Sequence, residues 1–242
     1  MATKRPATAI LDRLQTQHPN AWTELNFTNP FELLVATILS AQCTDARVNQ
    51  VTPALFAKYP TPAALAAATQ QELEPRIQPT GFFRMKSRSL LGMSRALVEQ
   101  HDGKVPADMD ALVELPGVGR KTANVVLGHA FRLPGLPVDR HVLRVAHRIG
   151  LITTEDDAVK AESQLAKQLP PARWTVTSDT LILHGRRVCK PKPMCNRCVI
   201  TADCRYFARF GGKLPALKGR PTNTAPSRPG PQPRRAASKK RR

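Results

Sequence analysis

Acidic residues are scarce in this chain. Across 242 residues Asp and Glu number 18 against 37 Lys and Arg, a formal net charge of +19. Solubility does not require so large an imbalance, which points to a polyanionic partner. Ten of the basic residues fall in 211–242, a segment with no acid, and without it residues 1–210 still carry +9. Nucleic acid is therefore the expected partner even with the tail set aside. Long apolar runs are also missing. No stretch of about 18 apolar residues exists, so no membrane-spanning helix is expected. The start of the chain has Lys4 and Arg5 but neither an apolar stretch nor a small-residue cleavage site, which argues against a secretory leader.

Widely spread cysteines are absent as well. Four of the five (Cys189, Cys195, Cys198 and Cys204) fall within sixteen residues, the habit of a metal site and not of a disulfide framework. The fifth, Cys43, sits in an apolar helical neighbourhood and reads as core filler. A reducing compartment follows, with the bacterial cytoplasm and its nucleoid as the expected location. No segment alternates cleanly enough for a strand, no Asn-Gly hairpin is present, and no internal repeat stands out.

What remains is helical period, so the fold class is all-α. Asn29-Pro30 and Thr61-Pro62 each open an apolar run as cap and first residue, predicting helices over 31–40 and 61–68. Over 82–99, Phe82, Met85, Ser89, Met93, Ala96 and Leu97 recur at spacings of three and four, one stripe of a long helix. Further helices are predicted over 108–115, 120–131, 139–149, 156–169 and 171–187. From Leu214 onward the chain is mostly Pro, Arg, Ser and Ala. A disordered basic tail is expected over 211–242, a solvated segment that also tethers the protein electrostatically to DNA.

Three constellations carry chemistry. The first is Leu115-Pro116-Gly117-Val118-Gly119-Arg120-Lys121-Thr122 between two helices. Two glycines one residue apart let the backbone turn sharply and aim N–H groups outward at a helix start, a phosphate site indifferent to base sequence. The plain alternative is a helix–turn–helix connector. The basic setting and the adjacent Arg120 and Lys121 favour phosphate. Lys121 lies in the first helical turn, where the dipole opposes an added positive charge. Dipole and burial together would favour a neutral amine able to act as a nucleophile, and the alternative is a lysine contacting phosphate.

The second is the stiff approach Leu133-Pro134-Gly135-Leu136-Pro137-Val138 to Asp139, eighteen residues after Lys121. An Asp at a helix start is commonly a cap, and its second oxygen can also serve a cleft as a catalytic carboxylate. The third is Cys189-x5-Cys195-x2-Cys198-x5-Cys204, which suits a [4Fe–4S] cluster or a tetrahedral zinc. Arg186, Arg187, Lys190, Lys192, Arg197 and Arg205 surround it, as though these loops also faced phosphate.

In this order the three features resemble the helix–hairpin–helix DNA glycosylases, and within them the endonuclease III branch, over about residues 8–210. The motifs that carry the likeness are Ser40-Ala41-Gln42-Cys43-Thr44-Asp45, Leu115 to Thr122, Val138-Asp139-x-His141, and Leu183-His184-Gly185 through the four cysteines. The resemblance implies two helical domains with a cleft between them: 23–133 as a helical barrel with the hairpin, and 1–22 plus 134–210 as the iron–sulfur domain. It implies Lys121 as nucleophile, Asp139 as its partner carboxylate, and Cys189, Cys195, Cys198 and Cys204 as ligands of a [4Fe–4S] cluster. Gln42 falls where the family fills the gap opposite the estranged base, and Phe82 takes a second wedge position that is typically aliphatic. Gly117, Val118, Gly119, Arg120 and His141 are the further implied DNA contacts. Ser40, Asp45 and Arg140 fall near the base pocket, with Arg140 standing where Thr is frequent. The first cysteine spacing is one residue shorter than the commonest family pattern.

The implied activity is a monomeric, bifunctional glycosylase/AP lyase acting on double-stranded DNA that holds oxidised pyrimidines, such as thymine glycol, or abasic sites. A water-using mismatch glycosylase of the same superfamily would lack the lysine. A protein that merely binds DNA would leave Asp139 without a reason to accompany Lys121.

Overall fold

Short polar side chains ahead of apolar runs begin most of the helices. In the computed structural model, which describes residues 5–212, α1 spans Ala7–Gln17 and α2 Pro30–Leu39. Asn29 Oδ1 accepts the Glu32 N–H at 2.9 Å, satisfying a donor that has no partner inside the helix. Thr44, Thr61 and Thr69 cap α3 (Asp45–Lys58), α4 (Pro62–Ala66) and α5 (Gln70–Ile77) in the same way. α6 runs over Phe83–Gln100, and α7 (Met109–Glu114) starts from Asp108. α8 (Arg120–Ala130), α9 (Arg140–Ile149, capped by Asp139) and α10 (Ala158–Ala166, capped by Asp157) follow. α11 (Trp174–Arg187) and α12 (Arg205–Arg209) complete the order. The described residues contain no strand, as the all-α reading requires.

Buried apolar residues form two cores. One gathers α2 to α8, with Leu33, Leu34, Leu39, Leu73, Leu90 and Val126 fully buried. The other gathers α1 with α9, α10, α11 and Ile200. Each buried leucine contributes about 1.5–3 kcal/mol. A surface ion pair such as Arg120–Glu162 adds at most about 1 kcal/mol. The cores therefore set the stability. The chain leaves the second core after α1, builds the first, and returns through 131–139, so the cleft-forming elements α2, α8 and α11 meet where the cores adjoin.

Four helices escaped the sequence reading: α1, α3, α5 and the short α12. Pro53 inside α3 and Pro75 inside α5 interrupt the local signal, since proline removes a helical N–H, and packing of Val48 and Leu55, and of Leu73 and Ile77, overrides it. Residues 171–173 form a 3₁₀ turn and the helix proper begins at Trp174. The α6 stripe is also turned. Phe82 and Met85 are exposed, and the inward row is Lys86, Leu90, Met93 and Leu97. The expected tail lies, from residue 213 onward, outside the described residues.

Two glycines fix how the site elements approach one another. Gly117 has φ +79°, and an added Cβ would stand 2.5 Å from the Ser89 Cβ of α6. Gly135 packs its Cα against α8, where a Cβ would stand 2.2 Å from the Asn124 carbonyl oxygen. Gly117→Ala is expected to destabilise the protein by about 1–3 kcal/mol through combined backbone strain and overlap, measured by denaturant unfolding. An unchanged midpoint would show that the turn is not built as described.

Candidate active site

The hairpin between α7 and α8 is tied by one internal bond: the Val118 N–H reaches the Leu115 carbonyl at 3.0 Å, and the Val118 side chain is buried. Val118 thus anchors the turn from inside, and its amide is already used. The Gly119 N–H has no acceptor among the described residues, and open space surrounds its Cα. That amide, with the first amides of α8, faces outward at the positive end of a helix dipole. Arg120 turns aside and grips Glu162 of α10 with two nitrogens, at 2.8 Å through Nη2 and 3.0 Å through Nε. Lys121 is exposed in the first turn of α8.

Asp139 caps α9 with a single oxygen. Its Oδ1 accepts the His141 N–H at 2.7 Å and the Val142 N–H at 2.8 Å, leaving Oδ2 without a bond in the cap. The segment that delivers it is pinned from two helices. Asn124 Oδ1 accepts the Leu136 N–H at 3.0 Å, Thr175 Oγ1 donates to the Gly135 carbonyl at 2.9 Å, and Ser178 Oγ donates to the Pro137 carbonyl. Lys121 and Asp139 line one cleft together with Ser40, Asp45, Trp22, Glu24, Thr37, His129, Asp179 and Arg186.

Asp45 holds Arg186 of α11 at 2.8 Å, and Glu24 holds the same guanidinium nitrogen. Burial works against the Arg186 charge, but the two carboxylates outweigh it and hold its pKa above the ordinary value. Ser40 Oγ donates back to the Thr37 carbonyl at 2.8 Å. At the buried side His129 Nε2 meets Asp179 Oδ2 at 2.9 Å, and the Trp22 ring stands edge-on to the imidazole. Glu24, His129, Asp179 and Trp22 carried no motif, and Arg186, read from the sequence as a phosphate-facing flank of the cysteines, is instead held by carboxylates in the cleft. They enter the cleft from separate segments, so only the fold assembles them.

Other expected residues fall outside this lining. Arg140 is exposed at the first position of α9 and does not line the cleft. His141 is half-buried with Nδ1 accepting from Arg144 Nη2 at 3.0 Å, and burial lowers its pKa. Gln42 and Phe82 occupy two exposed turns, at φ +54° and +48°. Left-handed backbone is unfavourable for both residue types, Phe especially, and held strain of this kind concentrates at functional positions. The α6 start beside Phe82 carries Arg84, Lys86 and Arg88 and no acid in its first turn.

The four clustered cysteines surround a second, mainly apolar cavity with Val188, Ile200, Tyr206 and Phe207. None forms a disulfide. Burial pushes the Cys198 thiol up to about 11, so a thiolate there calls for nearby positive charge. Arg148 Nη1 lies 3.5 Å from Cys189 Sγ, and His184 Nε2 lies 3.6 Å from Cys198 Sγ, though burial lowers the His184 pKa to about 4 and leaves that ring uncharged. Among the described residues no three His, Cys, Asp or Glu side chains are grouped to hold a single metal ion.

The profile of the HhH-GPD superfamily of base excision DNA repair proteins matches residues 35–171. Endonuclease III of Synechocystis is 50% identical over 203 residues, covering 83% of this chain and 92% of that protein. Endonuclease III of Bacillus subtilis is 44% identical, covering 81% and 90%. The chain belongs to the endonuclease III family. It is a DNA glycosylase/AP lyase of base excision repair. A solved endonuclease III trapped as a covalent intermediate with DNA superposes with TM-score 0.82 at 42% identity, covering 87% of this chain and all of that one. A thermostable thymine-DNA glycosylase, 23% identical with TM-score 0.71, shares the fold. Among the described residues no helix is long and apolar enough to cross a membrane.

Proposed function

We propose that the cleft receives a flipped oxidised pyrimidine nucleotide, thymine glycol for example, and that Lys121 and Asp139 carry out the reaction. The observation that supports this reading is the shared cleft: Lys121 opens onto it from α8, and Asp139 keeps one oxygen outside its capping bonds. A base must leave the stack before C1′ can be reached, and a poorly stacked lesion costs less to extract. Lys121 Nζ attacks C1′, the glycosidic bond breaks with its electrons going to the base, and the lysine proton is lost. Asp139 stabilises the positive charge on the opening sugar and manages that proton. The C1′–O4′ bond then breaks with its electrons going to O4′, which takes up a proton. The resulting iminium acidifies C2′–H, and loss of that proton breaks the bond to the 3′ phosphate. Water then releases Lys121. Gln42 and Phe82 fill the gap in the duplex, while Gly119 and the start of α8 hold phosphate.

The four cysteines fit a polynuclear iron–sulfur centre: four sulfur donors of a single type face one mainly apolar cavity. Cys189, Cys195, Cys198 and Cys204 would hold a [4Fe–4S] cluster, which supplies cross-links among loops whose own structure is two 3₁₀ turns and the short α12. Residues 23–133 and 1–22 plus 134–210 serve as the two domains, and the protein acts as a monomer at the bacterial nucleoid. Borohydride trapping on a duplex with one thymine glycol tests the substrate assignment. A covalent adduct there is expected. An adduct on an abasic duplex alone would leave the lyase chemistry and remove the oxidised-pyrimidine assignment.

A further inference from the structure

Lys86 is 5% exposed, and no carboxylate pairs with it among the described residues. A buried ammonium is costly unless its donors are satisfied, so its partners identify its task. Nζ donates to two backbone carbonyls, Leu39 at 2.7 Å and Thr80 at 2.8 Å. Leu39 is the last residue of α2, whose terminal carbonyls have no helical partner, and a cation suits that end of the dipole. Thr80 closes the 3₁₀ turn at 78–80. Three residues beyond Leu39 is Gln42, and two beyond Thr80 is Phe82, both at positive φ. These turns come from different stretches of the first domain, forty residues apart. One ammonium joins them.

We propose that Lys86 is a positioning residue that locks the Gln42 and Phe82 turns into a single two-pronged insertion unit. The inference rests on the reading of Gln42 and Phe82 as the residues that enter the duplex gap. Both turns need a fixed floor, because each holds a strained residue that would relax if the carbonyl before it were free to move. The bond to Leu39 fixes one floor and the bond to Thr80 the other. Their mutual distance is thereby set by one side chain. A methionine has similar length and apolar bulk but cannot donate, so it removes the link and little else.

The test uses the full chain with Lys86→Met, Lys86→Arg, the pair Gln42→Ala with Phe82→Ala, and the triple variant adding Lys86→Met. Binding to a duplex with a reduced abasic analogue and borohydride trapping on a single-stranded abasic oligonucleotide are measured for each. A single strand has no gap to fill and so reports the chemistry without the insertion unit. Lys86→Met is expected to weaken duplex binding about tenfold, to leave single-strand trapping unchanged, and to add nothing in the triple variant. Lys86→Arg, which can still donate to both carbonyls, is expected to restore most of the binding. Full additivity in the triple variant would overturn the proposal while leaving the two insertion residues intact. Equal loss on single strands would also overturn it, making Lys86 a general scaffold residue. If the Gln42/Phe82 pair itself binds like the parent, the insertion reading fails, separately from the role of Lys86.

Discussion

Lys121→Ala abolishes the borohydride-trapped adduct on both lesion and abasic duplexes and lowers strand cleavage by about 10³–10⁶-fold, the scale seen when a nucleophile is removed. The fold is expected to survive. Lys121 is exposed, and no hydrogen bond or ion pair of the described residues depends on it. Removing a cation from the first turn of α8, with alanine in its place, changes stability by about 0.3–1 kcal/mol in the favourable direction. Duplex binding therefore persists while chemistry disappears. Electrophoresis of trapped product alongside a denaturant titration separates the two. A surviving adduct in a well-folded Lys121→Ala protein would move the nucleophile elsewhere.

Asp139→Asn is expected to lower kcat by about 10²–10⁴-fold. The substitution is informative because of how the carboxylate is shared. Oδ1 serves the cap through the His141 and Val142 amides, and asparagine caps a helix about as well as aspartate. The melting temperature should then hardly move. What is lost is the negative charge at the free oxygen, which would face the opening sugar. Asp139→Ala removes the cap as well, costing about 1 kcal/mol of stability in addition. A rate close to the parent's in Asp139→Asn would reduce Asp139 to a structural cap. A matching fall in rate and melting temperature would point the same way.

Local signals predicted much of this molecule. The capping residues Asn29, Thr61, Asp108 and Asp139 start helices where short side-chain acceptors precede apolar runs. The capping box at Thr69 and Glu72 was equally present in the sequence, but Pro75 masked the helix it opens. Tertiary packing outweighs such a local defect, which a reading by propensity and period cannot weigh. The α6 stripe of spacing does not coincide with the buried face: Phe82 and Met85 are exposed, and the buried row includes a lysine whose donors find carbonyls from two other segments.

The site divides along the same line. The hairpin Pro116 to Lys121, the approach to Asp139 and the cysteine spacing are short, contiguous patterns, and residue types at fixed spacing made them readable. The sequence by itself determined the helical class, the basic character and these three motifs, because each depends on neighbours along the chain. Only the tertiary structure decided that Lys121 and Asp139 share a cleft with His129, Asp179, Glu24 and Arg186, and that Arg120 turns to Glu162. It alone joined the Gln42 and Phe82 turns through Lys86. Those contacts link residues tens of positions apart, and which donor meets which acceptor is settled by how the helices pack around two cores, a property that no local stretch of sequence contains.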